Sequence, residues 1–331
     1  KRKVDFGIWL EPEMVNPQSE LYQKHPDWII TQPKRTPILG RHQEILDLTR
    51  PEVQAFEWQV IDKTLRPNPD ISYVKWDCNR YITQPGSGYL QPAEQSHLWI
   101  DYNWALYRLM ERFSKEFPNV MAMLCAGGSG RVDYGALPYF HSFWPSDNTD
   151  PLGRIKIQWG FSHFFPASTI SAHVTRMGKR HLKLAIDVAL SGAFGIDLAL
   201  DKATAEERVQ IADAVKLYKA SIRPLVMQGE LYRLVSPYEH PMASLSYVST
   251  DKNDAVVYLY QIQDGSVPQV ILGGLDARKN YRVEEVGLPK GSTSRFPGHG
   301  KIFSGAELMS TGIANPLNAQ FESAILLLKT Q

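Results

Sequence analysis

The sequence predicts an α/β fold: a (β/α)8 TIM-type barrel, with its first two strands absent from this chain, followed by an antiparallel β-sandwich. Three observations predict it. Strand-like and helix-like segments alternate from residue 4 to residue 226. The polar residues able to do chemistry fall at the C-terminal ends of those strand-like segments, where barrel enzymes carry their active sites. Beyond Leu231 the pattern changes to short alternating runs broken by Asp, Asn and Gly. The expected domains are an N-terminally incomplete catalytic barrel over 1–230 and a β-sandwich over 231–331. With 331 residues, 43% of them hydrophobic and 11% aromatic, the chain has apolar content for one large domain or two.

The elements follow in order. Residues 4–11, Val-Asp-Phe-Gly-Ile-Trp-Leu-Glu, alternate as a strand, with Phe6, Ile8 and Leu10 on one face and Gly7, Trp9 and Glu11 on the other. A chain that opens inside a strand reads as a piece of something longer. Residues 12–46 form a Pro- and aromatic-rich connection too long for an ordinary loop, and so a functional segment or lid, with Arg41 near its end. Residues 51–65 form a helix with Pro51 in its first turn and Val53, Phe56, Val60 and Ile61 on one stripe. A strand over 71–77 follows, then a helix over 96–117 carrying Leu98, Tyr102, Ala105, Leu109, Met110 and Phe113 at helical spacing. Residues 120–125 are a short apolar run of the kind buried on both faces of a parallel sheet. Residues 142–150 bring another strand to a polar end, and Asp150 before Pro151 is a helix start. Fainter strands at 168–173 and 194–200 flank a helix at 179–190, and Thr204 with Glu207 caps a helix over 204–226. The sandwich strands are expected at 244–250, 255–261, 267–272, 281–286 and 322–328. That makes six barrel strands, near Ile8, Val74, Met123, Phe143, Ile170 and Ile196, where a closed barrel has eight. The missing two would precede residue 1.

Composition narrows the partners. A net charge of +1 and no basic run give no reason to expect nucleic acid or an anionic membrane. There is no apolar run of the roughly 18 residues a membrane span needs. The charged first residues do not read as a signal peptide. Two cysteines are too few for a disulfide framework, and nine histidines show no paired metal-ligand spacing.

Chemistry concentrates in two places. Along the strand over 71–77, Tyr73, Lys75 and Asp77 share one face, while Val74 and Trp76 share the other and meet helices. Asp147 lies just past another strand end, without the capping role that accounts for Asp150. Read singly, Asp77 also suits a structural ion pair with Lys75 or Arg80, and Asp147 a turn. The glycine-rich stretch 125–133, Cys-Ala-Gly-Gly-Ser-Gly-Arg-Val-Asp, lets backbone turn sharply and a ligand approach, yet lacks the Gly-Lys-Ser/Thr of a nucleotide loop. Cys125 by itself reads as a small buried apolar residue. Glu11, Asn79, Arg80, Arg131 and Asp133 read as a supporting shell, and His173 and Asp197 as structural.

Five motifs, taken together, resemble the microbial α-galactosidases of glycoside hydrolase family 36: Gly-Ile-Trp-Leu-Glu-Pro-Glu-Met at 7–14, Gly-Arg-His-Gln at 40–43 with Leu-Asp-Leu-Thr-Arg-Pro-Glu-Val at 46–53, Lys-Trp-Asp-Cys-Asn-Arg at 75–80, the glycine-rich stretch at 125–133, and Trp-Pro-Ser-Asp-Asn-Thr-Asp at 144–150. The resemblance implies a barrel from its third strand onward plus the last domain. It also implies a retaining mechanism with Asp77 as nucleophile and Asp147 as acid/base, and Trp9, Arg41, Lys75, Cys125, Gly128 and Trp144 as sugar-binding residues. It implies no metal and no organic cofactor. The implied reaction is release of terminal α-linked galactose from oligosaccharides or glycans, and the implied assembly is a homo-oligomer. α-N-acetylgalactosaminidase of the same family is the second reading, because Cys78 and the Cys-Ala-Gly-Gly-Ser-Gly sequence depart from the commoner motif. A third is a split-enzyme fragment that binds sugar without turnover, its partner being the missing N-terminal portion.

The chemistry agrees with these roles. Retaining displacement through an oxocarbenium-like state needs one carboxylate to attack and one carboxyl to protonate the leaving oxygen, about 5 to 5.5 Å apart. Lys75 is expected to keep Asp77 ionised, while Asp147, beside Trp144 and Pro145, is placed to hold a proton. Trp9 and Trp144 offer flat faces to a pyranose ring; Arg41 and Lys75 offer donors to its hydroxyls.

Overall fold

Four parallel strands organise the first half of the chain, in the order Phe6–Leu10, Ile71–Trp76, Met121–Leu124 and Ser142–Phe143. They belong to a computed structural model that describes residues 4–331 and divides into two compact units, one ending at Trp144 and the other beginning at Pro145. Neighbours in the sheet are also neighbours in sequence, which is what strand, helix, strand alternation produces. The helix Pro51–Leu65 has Pro51 in its first turn, where a missing N–H costs nothing. Its inward face is Val53, Glu57, Trp58, Ile61 and Leu65 rather than the expected Phe56 and Val60. Glu57 sits four residues from both Val53 and Ile61, so a carboxyl occupies the middle of the buried stripe and hides it from an apolar count.

The helix Leu98–Glu116 buries all six residues expected of its apolar face. A 3₁₀ turn, Pro92–His97, takes up the residues before it and moves its start to Leu98. Against this helix lies Trp76, whose ring meets Phe113 and Phe140 edge to face at 6.0 and 6.1 Å. Val74 and Trp76 thus point to the helix side, and Asp77 emerges from the strand end on the other.

The long connection is partly ordered. Met14–Val15 pairs antiparallel with Glu44–Ile45, and the short helix Glu20–Lys24 is capped by Ser19. Gly40 and Gln43 exchange backbone hydrogen bonds across Arg41 and His42, both of which have positive φ, 54° and 61°. Glycine or asparagine is the usual occupant of such a turn, so this two-residue turn holds Arg41 in a strained conformation.

The second unit carries the two remaining parallel strands, Ser171–Val174 paired with Ala193–Ile196, completing the six expected. The expected helix over 204–226 is three pieces: Ala205–Leu217, a π turn over Tyr218–Ile222, and Arg223–Gln228. Pro224 is the cause, since it has no N–H to donate and its ring crowds the carbonyl four residues back. Thr204 and Glu207 form the expected capping box.

The last hundred residues form a six-stranded antiparallel sheet in the order Ile302–Ser304, Asn280–Val286, Ser323–Thr330, Asp254–Gln261, Met242–Val248, Glu230–Val235. Gln269–Val270 and Ile313–Ala314 make a second, two-stranded sheet. Both faces of the large sheet are covered. Val257, Leu259, Leu326 and Leu328 pack with Val270, Leu308 and Ile313, while Val256, Tyr258, Tyr260 and Leu327 pack with helical residues Leu184, Val188 and Ile222. The hydroxyls of Tyr260, Tyr258 and Tyr247 donate to the carbonyls of Asp187, Leu190 and Ser191, satisfying acceptors that the end of the helix Leu182–Ala189 leaves open. The expected strand over 267–272 is only Gln269–Val270, in the second sheet, while Glu230–Val235, outside the expected strands, is a full edge strand of the large one.

Candidate active site

Asp77 follows the last residue of its strand, and its backbone N–H donates to Leu10 O at 2.8 Å, which ties the two strand ends together. The residue is only 4% exposed. Trp9 Nε1 donates to Oδ2 at 3.0 Å, and the Cys78 N–H donates to Oδ1 at 2.9 Å. Lys75 Nζ stands 3.8 Å from Oδ2. Burial pushes the Asp77 carboxyl up, but hydrogen bonds from Asn79, Trp9, Cys125 and the Cys78 N–H outweigh it and hold it below the usual carboxylate range. The ionised state expected from Lys75 is therefore secured by hydrogen bonding, with the lysine at the outer edge of ion-pair range.

The other expected residues of the first unit differ in exposure. Trp9 is 50% exposed and offers an open ring face. Trp144 is 6% exposed, packs with Met123, Cys125 and Tyr73, and lies 5.4 Å beneath the Lys75 ammonium, so it reads as a floor under the lysine. Cys125 is buried, and burial pushes its thiol up to about 12. Gly128 has a φ of 93°, open to glycine at little cost, and its carbonyl accepts the Ala126 N–H at 2.9 Å. Arg41 is exposed at the tip of its strained turn.

Beneath them runs a polar scaffold. Glu11 Oε1 accepts from the Asn79 N–H and from Asn79 Nδ2, and Oε2 accepts from Gln43 Nε2 at 2.9 Å. Asn79 Oδ1 in turn accepts the Gly127 N–H at 3.0 Å. One carboxylate thus links the base of the Arg41 turn, the segment after Asp77 and the glycine-rich loop. Arg80 pairs with buried Glu44 at 3.1 Å, and Asp133 caps its own turn and accepts from Tyr107. These contacts match the supporting roles expected of Glu11, Asn79, Arg80 and Asp133. Arg131 fills the same kind of role through a residue the sequence reading overlooked. It pairs with wholly buried Glu13, which also accepts from Trp76 Nε1 at 3.0 Å and Tyr102 at 2.9 Å. The signal was there, a second acid two residues after Glu11 at a strand end.

In the second unit, Asp147 is exposed on a short tethered segment. The Asn148 N–H donates to Ser146 Oγ and the Asp150 N–H to Asn148 Oδ1, each at 3.0 Å. Thr149 and Thr175 hydroxyls meet at 2.8 Å. Asp150 caps the helix Pro151–Phe161, as expected. His173 and Asp197 pair at 3.0 Å. Among the described residues, no group of three His, Cys, Asp or Glu side chains is arranged to hold a metal, and no helix is long and apolar enough to cross a membrane.

Comparison with known proteins adds a family. A family model described as Melibiase matches residues 1–229, and one described as Glycosyl hydrolase family 36 C-terminal domain matches residues 242–328. The chain is 38% identical over 322 residues to alpha-galactosidase AgaA of Geobacillus stearothermophilus, covering 95% of this chain and 42% of the relative. Alpha-galactosidase 2 of Hypocrea jecorina is 34% identical, over 99% of this chain and 42% of its own length. A crystal structure of a variant of the Geobacillus enzyme in complex with raffinose superposes with a TM-score of 0.90 at 36% identity, over 99% of this chain and 45% of that one. The chain thus spans less than half the length of these relatives, and its fold is theirs over that span: a TIM-type barrel region followed by an antiparallel β domain.

Proposed function

The chain belongs to the melibiase family, and on that premise we propose that it carries the catalytic carboxylates of a retaining glycoside hydrolase that releases terminal α-linked galactose from oligosaccharides of the raffinose type. The observation that carries the reading is Asp77: a buried strand-end carboxyl held ionised by directed hydrogen bonds, beside an exposed indole and a lysine. In this reading Asp77 attacks the anomeric carbon as the glycosidic C–O bond breaks, forming a galactosyl ester. Asp147 gives its proton to the departing oxygen, then takes one from the water that cleaves the ester. Trp9 stacks on the sugar, Arg41 and Lys75 donate to its hydroxyls, and Cys125, Gly128 and Trp144 shape the pocket floor. The barrel extends over 1–230 and the β-sandwich over 231–331, a division supported by the two family-model spans.

Galactose is favoured over N-acetylgalactosamine because the relatives are named α-galactosidases. Turnover of p-nitrophenyl α-galactoside, its N-acetylgalactosaminide counterpart and raffinose by the full-length protein tests the proposal. The galactoside and raffinose are expected to be cleaved, with D77N losing ~10⁴-fold in kcat. Preference for the N-acetylated substrate, or a fully active D77N, would overturn it.

A further inference from the structure

We propose that Arg154 is a positioning residue that sets the aim of Asp147, an inference that rests on reading Asp147 as the acid/base. Arg154 lies on the helix Pro151–Phe161, one turn past the Asp150 cap, and is 2% exposed. Its Nη1 donates to the Ser146 carbonyl at 3.2 Å, its Nη2 donates to the Ser171 carbonyl, and its Nε donates to Gln158 Oε1 at 3.1 Å. The Ser146 carbonyl belongs to the same rigid peptide plane as the Asp147 nitrogen. Holding that oxygen therefore holds the plane from which the Asp147 side chain departs.

The far side of the guanidinium is anchored as firmly. Ser171 begins one of the parallel strands, so the fork clamps the Asp147 segment to the sheet. Gln158, which receives Nε, donates to the Val188 carbonyl at 3.2 Å and to Ser191 Oγ at 3.0 Å. A planar guanidinium can serve three acceptors at once, which a lysine ammonium on a flexible stem cannot do in the same fixed geometry. Burial pushes the Arg154 pKa down to about 10, which still leaves it charged at neutral pH. A buried cation costs folding free energy, and here it is committed to orienting a peptide one residue from Asp147. Position matters to this carboxyl above all, because proton transfer to a leaving oxygen requires hydrogen-bond reach, and an error of 1 Å can cost about a hundredfold.

The test exploits the dependence of acid catalysis on the leaving group. In the full-length protein, R154K is expected to lower kcat/KM on raffinose, whose departing alkoxide needs a proton, at least tenfold more than on 2,4-dinitrophenyl α-galactoside, which leaves unaided. Q158L, which removes one guanidinium contact, should shift the same ratio by a smaller factor and serves if R154K does not fold. D147A is the control and should show the largest discrimination. If D147A shows none, the acid/base reading fails and the positioning role with it. If D147A discriminates while R154K and Q158L lose activity equally on both substrates, or lose none, the role of Arg154 is overturned alone.

Discussion

The indole nitrogen of Trp9 donates to Oδ2 of Asp77 at 3.0 Å across adjacent parallel strands, joining an exposed aromatic face to a buried carboxylate. The bond stabilises the charged form of Asp77 and is one reason its pKa lies low. W9F keeps the ring face and removes the donor. Loss of a bond to the ionised form raises the pKa, so the acidic limb of the kcat/KM profile should move to higher pH, with about tenfold or greater loss near neutrality. An unmoved limb would show that the indole serves only as a stacking surface.

Glu57 is wholly buried, and among the described residues neither of its oxygens has a hydrogen-bond partner. Burial, with the nearby Glu13 charge, pushes its pKa well above the carboxylate range, against a smaller pull from Arg131. The folded state therefore keeps a proton that the unfolded chain releases near the ordinary value of about 4.3. Its contribution is most favourable below that value and is lost as pH rises towards the folded pKa. E57Q should match the parent near pH 4 and exceed it at pH 7 by on the order of 1 kcal/mol in urea unfolding. Lower stability of E57Q at pH 7 would mean that the ionised carboxylate is wanted.

Cys78 and Cys125 have thiols pushed up to about 12, in both cases chiefly by burial, with the Asp77 charge adding to the effect on Cys125. Since the thiolate is the nucleophile, iodoacetamide at pH 8 should label neither residue in the native protein and both in denaturant. Rapid native labelling of Cys125 would contradict the closed floor described around it.

Much of this architecture could be read in the residues because the periodic elements announce themselves. The helix Pro51–Leu65 begins and ends where its pattern says, the strand Ile71–Trp76 stops one residue short of the expected 71–77, and Asp150 and Thr204 mark helix starts through local chemistry that needs no tertiary context. The overlooked features are those in which a polar group replaces an apolar one inside the fold. Glu57 breaks a buried stripe, Glu13 is held by three partners distant in sequence, and Arg154 sits on a helix whose inward face looks unremarkable until its carbonyl partners appear. The low Asp77 pKa likewise has a source other than the expected lysine. Lys75 lies two residues before Asp77 and its charge is the contact sequence suggests, whereas the carboxyl is held by hydrogen bonds from Asn79 and the Cys78 N–H nearby and from Trp9 and Cys125, which are distant in sequence.

The most direct measurement of the central claim is covalent trapping. Incubating the full-length protein with a slowly turned-over fluorinated galactosyl fluoride, then digesting it and reading peptide masses, should find one galactosyl-type adduct on the Asp77 carboxyl and none in D77N. An adduct on another residue, or turnover that releases β-galactose first with no trapped ester, would contradict Asp77 as the nucleophile of a retaining enzyme.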